Sequence, residues 1–132
     1  MSTPTPAPRR FVRMFKPQFA DLVRTDKKTQ TVRPFPRRMP RIGDTISLRT
    51  WSGLPYRSRQ HRLGTGEITT ADGCSIFDHA IVVAGRPYDA DTFARADGFE
   101  SFAELKRWFT AHHGPLPFFG IGIGWKLNPP TP

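Results

Sequence analysis

A chain of 132 residues with 30 Leu, Ile, Val and Phe residues is long enough for one domain, with a lean core in which its 11 phenylalanines dominate. One cysteine excludes an internal disulfide, and the lack of an apolar run of about 18 residues argues against a membrane-spanning helix. The net charge of +9 is unevenly placed, because residues 9–67 hold 15 Lys/Arg against 4 Asp/Glu, while residues 68–132 hold 5 against 7. Such a charge attracts polyanions, and it favours nucleic acid over a membrane partner because no basic amphipathic helix is evident.

We predict a single domain over residues 9–127, with a disordered tail at each end. Residues 1–8 alternate Pro with Ser, Thr and Ala, and residues 128–132 read NPPTP. The first ten residues lack the apolar segment of a secretion signal. Together with the single cysteine, this favours a cytoplasmic protein.

Hydrophobic periodicity and turn residues divide the domain into short elements. In chain order we predict a strand over residues 9–15, a helix over 16–25, strands over 29–34, 45–50, 62–71 and 76–85, helices over 89–99 and 101–113, and a strand over 118–127. Ser101 and Glu104 form a capping-box pattern at the start of the last helix. Glycines at every second position of the last strand indicate close approach of another backbone or strong curvature. Short, mostly non-local strands with few helices predict an α+β fold built on a small barrel.

No group of side chains indicates a metal or a cofactor. His61, His79, His112 and His113 have no partner four residues away and no cysteine at ligand spacing. Cys74 has no nucleophile signature around it and is typical of a packed strand residue. We therefore expect neither a metal nor a cofactor.

The segment KKTQTVRP, residues 27–34, is the first candidate site. Its Lys-Thr pair lacks the glycine-rich lead-in of a phosphate loop, which argues against a P-loop nucleotide triphosphatase. Strand alternation puts Thr31 and Arg33 on the face opposite Lys28, unless a twisted or bulged strand start turns Lys28 toward Thr31. The alternative is a solvated edge strand that uses Lys and Thr to discourage pairing.

The segment WSGLPYRSRQ, residues 51–60, combines aromatic, arginine and hydroxyl side chains in one loop. Aromatic rings offer stacking surfaces for bases, and arginine adds phosphate or cation–π contacts. The alternative places Trp51 in the core and leaves the other side chains without a function. The residues expected to contact a nucleic acid or nucleoside are Lys27, Arg33, Arg37, Arg38, Trp51, Tyr56, Arg57, Ser58 and Arg59.

An ordered series of motifs resembles an ASCH domain, a small relative of the PUA RNA-binding fold. The motifs are MFKPQFADLVRTDKKTQTVRP, PRIGDTISLRT, DGFESFAELKRWF and FFGIGIGW, which together cover about residues 11–126. They are similar to the family's first strand and helix with K-T-x-T-x-R, its Gly-Asp turn, its acidic-Gly-Phe with a helix, and its closing strand. The resemblance implies a PUA-like β-barrel with flanking short helices, and a basic cleft that binds single-stranded RNA or a modified nucleoside.

Some short bacterial members of this family hydrolyse the amide of acetylcytidine. Their Lys, Thr and Glu correspond by resemblance to Lys28, Thr31 and Asp97, and Arg33 completes the motif. Asp97 is one methylene shorter than the Glu, and small displacements of a catalytic group are costly, so binding with weak or absent hydrolysis is implied. An amidohydrolase acting on an acetylated nucleoside and a ribonuclease using the same cleft are the alternatives.

Overall fold

The computed structural model describes residues 7–129, in which seven strands and three helices are present. The elements are β1 (Arg10–Phe15), α1 (Pro17–Arg24), β2 (Gln30–Arg33), β3 (Thr45–Trp51), β4 (Gln60–Ile76), β5 (Ile81–Val83), β6 (Arg86–Tyr88), α2 (Ala90–Ala96), α3 (Phe102–His113) and β7 (Phe118–Leu127). Of the predicted tails at residues 1–8 and 128–132, residues 1–6 and 130–132 lie outside the described residues. None of the helices within residues 7–129 is long and apolar enough to cross a membrane.

All seven strands belong to one mixed sheet, so the predicted α+β class is confirmed. The sheet runs in the order β1-β3-β4-β5-β6, while β7 pairs with β4 and β2 pairs with β7. β1 and β3 are parallel, and the other pairs are antiparallel. The 17 residues of β4 and the 10 residues of β7 form the longest pairing, and the helices pack beside this frame.

The predicted closed barrel is wrong, because the sheet is open between β1 and β2. After β2 the chain reads Pro34-Phe35-Pro36, and proline has no N–H to donate to a neighbouring strand. A side chain crosses the opening instead, where Arg33 Nη2 donates to the Met14 carbonyl at 2.7 Å. The opening leaves room for a cavity at this side of the sheet.

The helices form and end where the sequence indicates. Pro17 opens α1 in its first turn, and Phe19 and Val23 form its buried face. At α3 the Ser101 hydroxyl accepts from the Glu104 N–H at 3.2 Å, so the predicted cap is confirmed. Edge-to-face contacts then join Phe19 to other rings, with centroid distances of 5.5 Å to Phe99 and 5.7 Å to Trp108.

The middle of the domain differs from the predicted strands. The strand predicted at 62–71 is the central part of β4, which runs on unbroken to Ile76 because β7 pairs with it along that length. In place of the single strand predicted at 76–85, the chain makes a turn in which the Phe77 N–H donates to the Ala80 carbonyl. β5 follows this turn. β6 was not predicted. The close approach predicted for the glycines of β7 is confirmed at Gly120, where a Cβ would lie 2.1 Å from the Arg33 carbonyl oxygen.

Candidate functional site

A cavity of about 280 Å³ lies beside the opening of the sheet, between β1, α1, β2 and α3. Its walls are largely aromatic, and its polar groups come from separate stretches of the chain. The aromatic walls are Phe15, Phe19, Phe99, Trp108 and Phe109, and the polar side chains are Lys16, Lys28, Thr31, Arg33, Asp97 and His113. Lys28, Thr31 and Asp97, which the family resemblance selects, therefore line one cavity.

Lys28 enters the cavity from the turn before β2, because that strand begins only at Gln30. The Lys28 backbone N–H donates to the Leu22 carbonyl of α1 at 2.9 Å, which fixes the direction of the turn. Lys28 is 3% exposed and Thr31 is 4% exposed. The solvated edge-strand interpretation is thus wrong for both residues, and strand alternation does not apply to Lys28.

Lys28 and Asp97 form a buried ion pair. Lys28 Nζ donates to Asp97 Oδ1 at 3.2 Å and also to the backbone carbonyl of Asp97. The Phe19 ring centroid lies 5.0 Å from the same Nζ. Gly98 makes this approach possible, because its φ is +93° and a Cβ there would lie 3.1 Å from the Lys28 Cδ.

Burial shifts the ionisation of both partners toward their neutral forms. It lowers the pKa of Lys28, and the charge of Asp97 only partly opposes this. It raises the pKa of Asp97 to about 6, against the opposing charges of Lys28 and Arg33. Two of the three tetrahedral positions on the Lys28 nitrogen face Asp97. The third carries a proton in the ammonium form and a lone pair in the neutral amine, which is the form able to act as a base.

Arg33 orients the hydroxyl of Thr31. Arg33 Nε donates to Thr31 Oγ1 at 2.9 Å, so the Thr31 oxygen already accepts one charge-assisted hydrogen bond. Among residues 7–129 no acceptor is found for the Thr31 hydroxyl proton, which leaves it available to a ligand. The Arg33 guanidinium also lies 5.0 Å over the Phe15 ring. Burial and the charge of Arg13 lower the pKa of Arg33 to about 10, so it remains a cation at neutral pH.

The aromatic walls were not selected from the sequence. Phe15, Phe19 and Phe99 have the buried apolar positions of ordinary core residues, so no local signal separates them from the rest of the core. Trp108 differs, because its indole N–H is buried without a hydrogen-bond partner within the described part of the chain. Since a buried indole N–H usually finds a partner, Trp108 is the aromatic wall residue with an unpaired polar group.

The other predicted contact residues lie outside the cavity. Lys27, Arg37 and Arg38 are exposed on the turn and loop that flank β2, and Arg57 and Arg59 are exposed on the loop at residues 52–59. That loop follows Trp51, the last residue of β3. The parallel strands β1 and β3 end side by side, where Phe15 pairs with Thr50. The loop therefore leaves the sheet at the end where β1 reaches the cavity.

The loop at residues 52–59 is held by its own polar and aromatic groups. The Ser58 hydroxyl accepts from the Gly53 N–H at 3.0 Å and donates to the Leu54 carbonyl at 2.7 Å, so its hydrogen bonds are made within the loop. Trp51 is half-buried and outside the main core, so its predicted alternative as a core residue is wrong. Its ring contacts Tyr56 at a centroid distance of 5.2 Å, and Tyr56 is 90% exposed.

Other chemistries find little support in the described residues. Residues 7–129 contain no group of three or more His, Cys, Asp or Glu side chains that could hold a metal ion. Burial raises the pKa of the Cys74 thiol to about 12, which keeps it protonated and unreactive at neutral pH. The chemistry of the cavity therefore rests on its lysine, threonine, arginine, aspartate and histidine side chains.

Comparison of the chain with protein-family models, with curated proteins and with solved structures finds no match. The ASCH resemblance accordingly rests on the motif series alone.

Proposed function

We propose that this protein is a PUA-like domain of the ASCH type, with an open rather than a closed barrel, and that its cavity binds one base of a modified nucleoside or of single-stranded RNA. The observation that carries the proposal is the meeting of Lys28, Thr31 and Arg33 beneath aromatic walls in one cavity. At about 280 Å³ the cavity is near the lower end for small-molecule sites, which span about 300–1,000 Å³. This volume suits one base and is too small for several bases.

The polar groups of the cavity define what the base must offer. The free position on Lys28, in its ammonium form, and the hydroxyl proton of Thr31 are both donors, and Arg33 retains N–H groups that it does not use on Thr31 or Met14. The preferred base therefore carries carbonyl or acyl oxygens as acceptors. Aromatic walls add stacking or edge contacts with its ring.

Calorimetric titration with cytidine, uridine and acetylcytidine tests this proposal. Lys28→Met and Thr31→Val remove the two donors with little change of volume, and each should weaken the binding of a nucleoside at least tenfold. Lys27→Met is the matched control, because Lys27 is the exposed neighbour of Lys28. Binding that is equal in the wild type and in both cavity variants would contradict the proposal.

Amide hydrolysis is the second candidate, and the lowered pKa of Lys28 in the same cavity as the oriented hydroxyl of Thr31 favours it. In this mechanism the neutral Lys28 amine takes the Thr31 proton, and Thr31 Oγ1 attacks the acyl carbon of the ligand. The C–N bond breaks, the departing amine takes the proton from Lys28, and water then releases the acyl group from Thr31 as a carboxylic acid. The Arg33 guanidinium stabilises the charge on the threonine oxygen. No observation on residues 7–129 favours the ribonuclease alternative.

Turnover of acetylcytidine, followed by chromatography of cytidine and acetate, tests the second candidate. We expect slow turnover, because Asp97 is shorter than the Glu of the family pattern. Lys28→Ala should abolish turnover because it removes the base. Lys28→Arg should abolish it too, because arginine does not deprotonate in proteins. Thr31→Ser should retain part of the rate and Thr31→Val none. Residual turnover in both Lys28 variants would remove Lys28 from the mechanism.

A further inference from the structure

The free edge of β1 carries an unusual set of hydrogen bonds. β1 pairs on one side only, with β3, and on that side the Thr45 N–H donates to the Arg9 carbonyl. Because carbonyls alternate along a strand, those of Arg10, Val12 and Met14 point to the free edge. Each accepts a hydrogen bond from an arginine side chain: Arg38 Nη2 to Arg10 at 2.8 Å, Arg13 Nη1 to Val12 at 2.9 Å, and Arg33 Nη2 to Met14 at 2.7 Å.

These three guanidinium groups form a row that ends at the cavity. Their carbonyl partners are two residues apart, which is about 6.6 Å along a strand. Arg33 lines the cavity, Arg13 is half-buried, and Arg38 is exposed at the far end. Phenylalanine rings hold the groups in place, with Arg38 4.3 Å and Arg13 5.5 Å from the Phe11 centroid. Each guanidinium has five N–H donors, so most of them remain free for another ligand.

No acid forms an ion pair with the row within the described residues, although the charge of Asp97 acts on Arg33 at the cavity end. Arg9, next to the row, pairs with Asp44 at 3.1 Å, whereas Arg13, Arg33 and Arg38 make no ion pair within residues 7–129. Their charges act on one another, because Arg38 lowers the pKa of Arg13, and Arg13 lowers that of Arg33, in both cases in addition to burial. Asp97 is already paired with Lys28, so three adjacent cations without an ion-pair partner of their own are stabilised by a bound anion.

Protection of the edge strand is the simpler explanation for charged groups at this place. Arg13 alone already serves that purpose, because it occupies the inward-facing position between Phe11 and Phe15. Protection requires no row, no approach to a cavity and no excess of positive charge. An amide side chain such as glutamine can also cap an edge carbonyl without bearing a charge, so charge and capping can be separated by substitution.

We propose that Arg33, Arg13 and Arg38 form a phosphate-binding row, and that the ligand is a single-stranded oligonucleotide with one base in the cavity and its neighbouring phosphates along the free edge of β1. The position of the base rests on the proposed function. Of the two ligands proposed there, the row selects a base within a polynucleotide, and it names the groups that hold the neighbouring phosphates. RNA and DNA share the phosphate chemistry, and the sugar distinguishes them in the experiment.

The test uses fluorescence anisotropy with a labelled RNA hexamer, and with a DNA hexamer of the same sequence, from about 50 to about 200 mM KCl, the range over which phosphate contacts are salt-sensitive. Each lost phosphate contact on a single strand should reduce the slope of log K against log salt by about 0.7, so the double variant Arg13→Gln/Arg38→Gln should lose about 1.4. Arg86→Gln/Arg107→Gln is the control, because it removes the same charge from exposed positions outside the row. Its slope should stay at the wild-type value.

Equal slopes for the two double variants would overturn the proposal, since net charge alone would then explain the binding. Arg38→Gln by itself, at an exposed position, should lose about 0.7 and keeps the test valid if the double variant does not fold. Titration of the wild type with a free nucleoside tests the cavity separately. A row-dependent slope without nucleoside binding would support the row and contradict the proposed function.

Discussion

At the scale of single residues, the Lys28–Asp97 pair has the largest predicted effect on stability. Lys28→Met leaves the Asp97 carboxyl buried without its partner, which should lower the free energy of unfolding by about 3–5 kcal/mol at pH 7. Lys28→Met/Asp97→Asn buries no charge and should recover most of this loss, because the two residues are coupled. Urea denaturation measures both. Lys27→Met should stay within about 0.5 kcal/mol of the wild type. A Lys28→Met loss no greater than that of the control would mean that the pair is not buried in solution.

The protonation of Asp97 gives a second test at this scale. Its pKa is raised to about 6, so the folded state holds the proton more tightly than the unfolded chain does. The stability that this group contributes is therefore complete below its ordinary pKa of 3.8 and is lost as the pH rises through about 6. Carboxyl carbon NMR should show a titration near pH 6 that is missing in Asp97→Asn. A midpoint at or below the ordinary value would contradict the inferred burial.

At the scale of elements, the turn between α2 and α3 sets the position of Lys28. Gly98→Ala places a residue at φ +93° and brings its Cβ to 3.1 Å from the Lys28 Cδ, so it adds a side-chain clash to backbone strain. Gly43→Ala is the matched control, with φ +94° and no atom within 4 Å of the added Cβ. Both should destabilise by about 1 kcal/mol or more, and only Gly98→Ala should also weaken nucleoside binding. Equal binding by both variants would show that Lys28 tolerates displacement.

The loop at residues 52–59 is the second element with a testable role. Tyr56 is 90% exposed and stands beside Trp51, so it is free to stack on a base that lies outside the cavity. Tyr56→Ala should weaken oligonucleotide binding by about 1–3 kcal/mol without lowering the melting temperature, while Tyr56→Phe should bind as the wild type does. Leu54→Ala, at another exposed position of the loop, is the control. Unchanged binding in Tyr56→Ala would leave the loop with a structural role only.

At the scale of the whole molecule, the uneven charge predicts a salt dependence of defined size. Three phosphate contacts on the row give a slope of about −2, so the affinity for single-stranded RNA should fall about twentyfold between about 50 and about 200 mM salt. A steeper fall would indicate further contacts from the basic half of the chain, which holds 15 of the 20 Lys/Arg residues. Binding that does not change with salt would contradict a polyanionic ligand altogether.

The sequence by itself determined the local elements and the charge. The period of apolar residues located β1, α1 and β3, and the Ser101–Glu104 pattern located the start of α3, because these signals depend on neighbours within one or two turns. The sequence also predicted the uneven charge, which follows from composition. It predicted the close backbone approach at Gly120 as well, because glycine lacks a side chain. The family resemblance named Lys28, Thr31 and Asp97, although composition and spacing alone did not bring them together.

Only the tertiary structure decided how these groups meet. Lys28 and Asp97 are 69 positions apart, and their pKa shifts arise mainly from desolvation by burial. The opening between β1 and β2 likewise depends on which strands pair with each other. It leaves the carbonyls on the free edge of β1 without a partner strand, and Arg13, Arg33 and Arg38 donate to these carbonyls. Burial and edge exposure are properties of the whole packed chain, since they depend on every segment that excludes water from a group. A pattern of neighbouring residues therefore does not contain them.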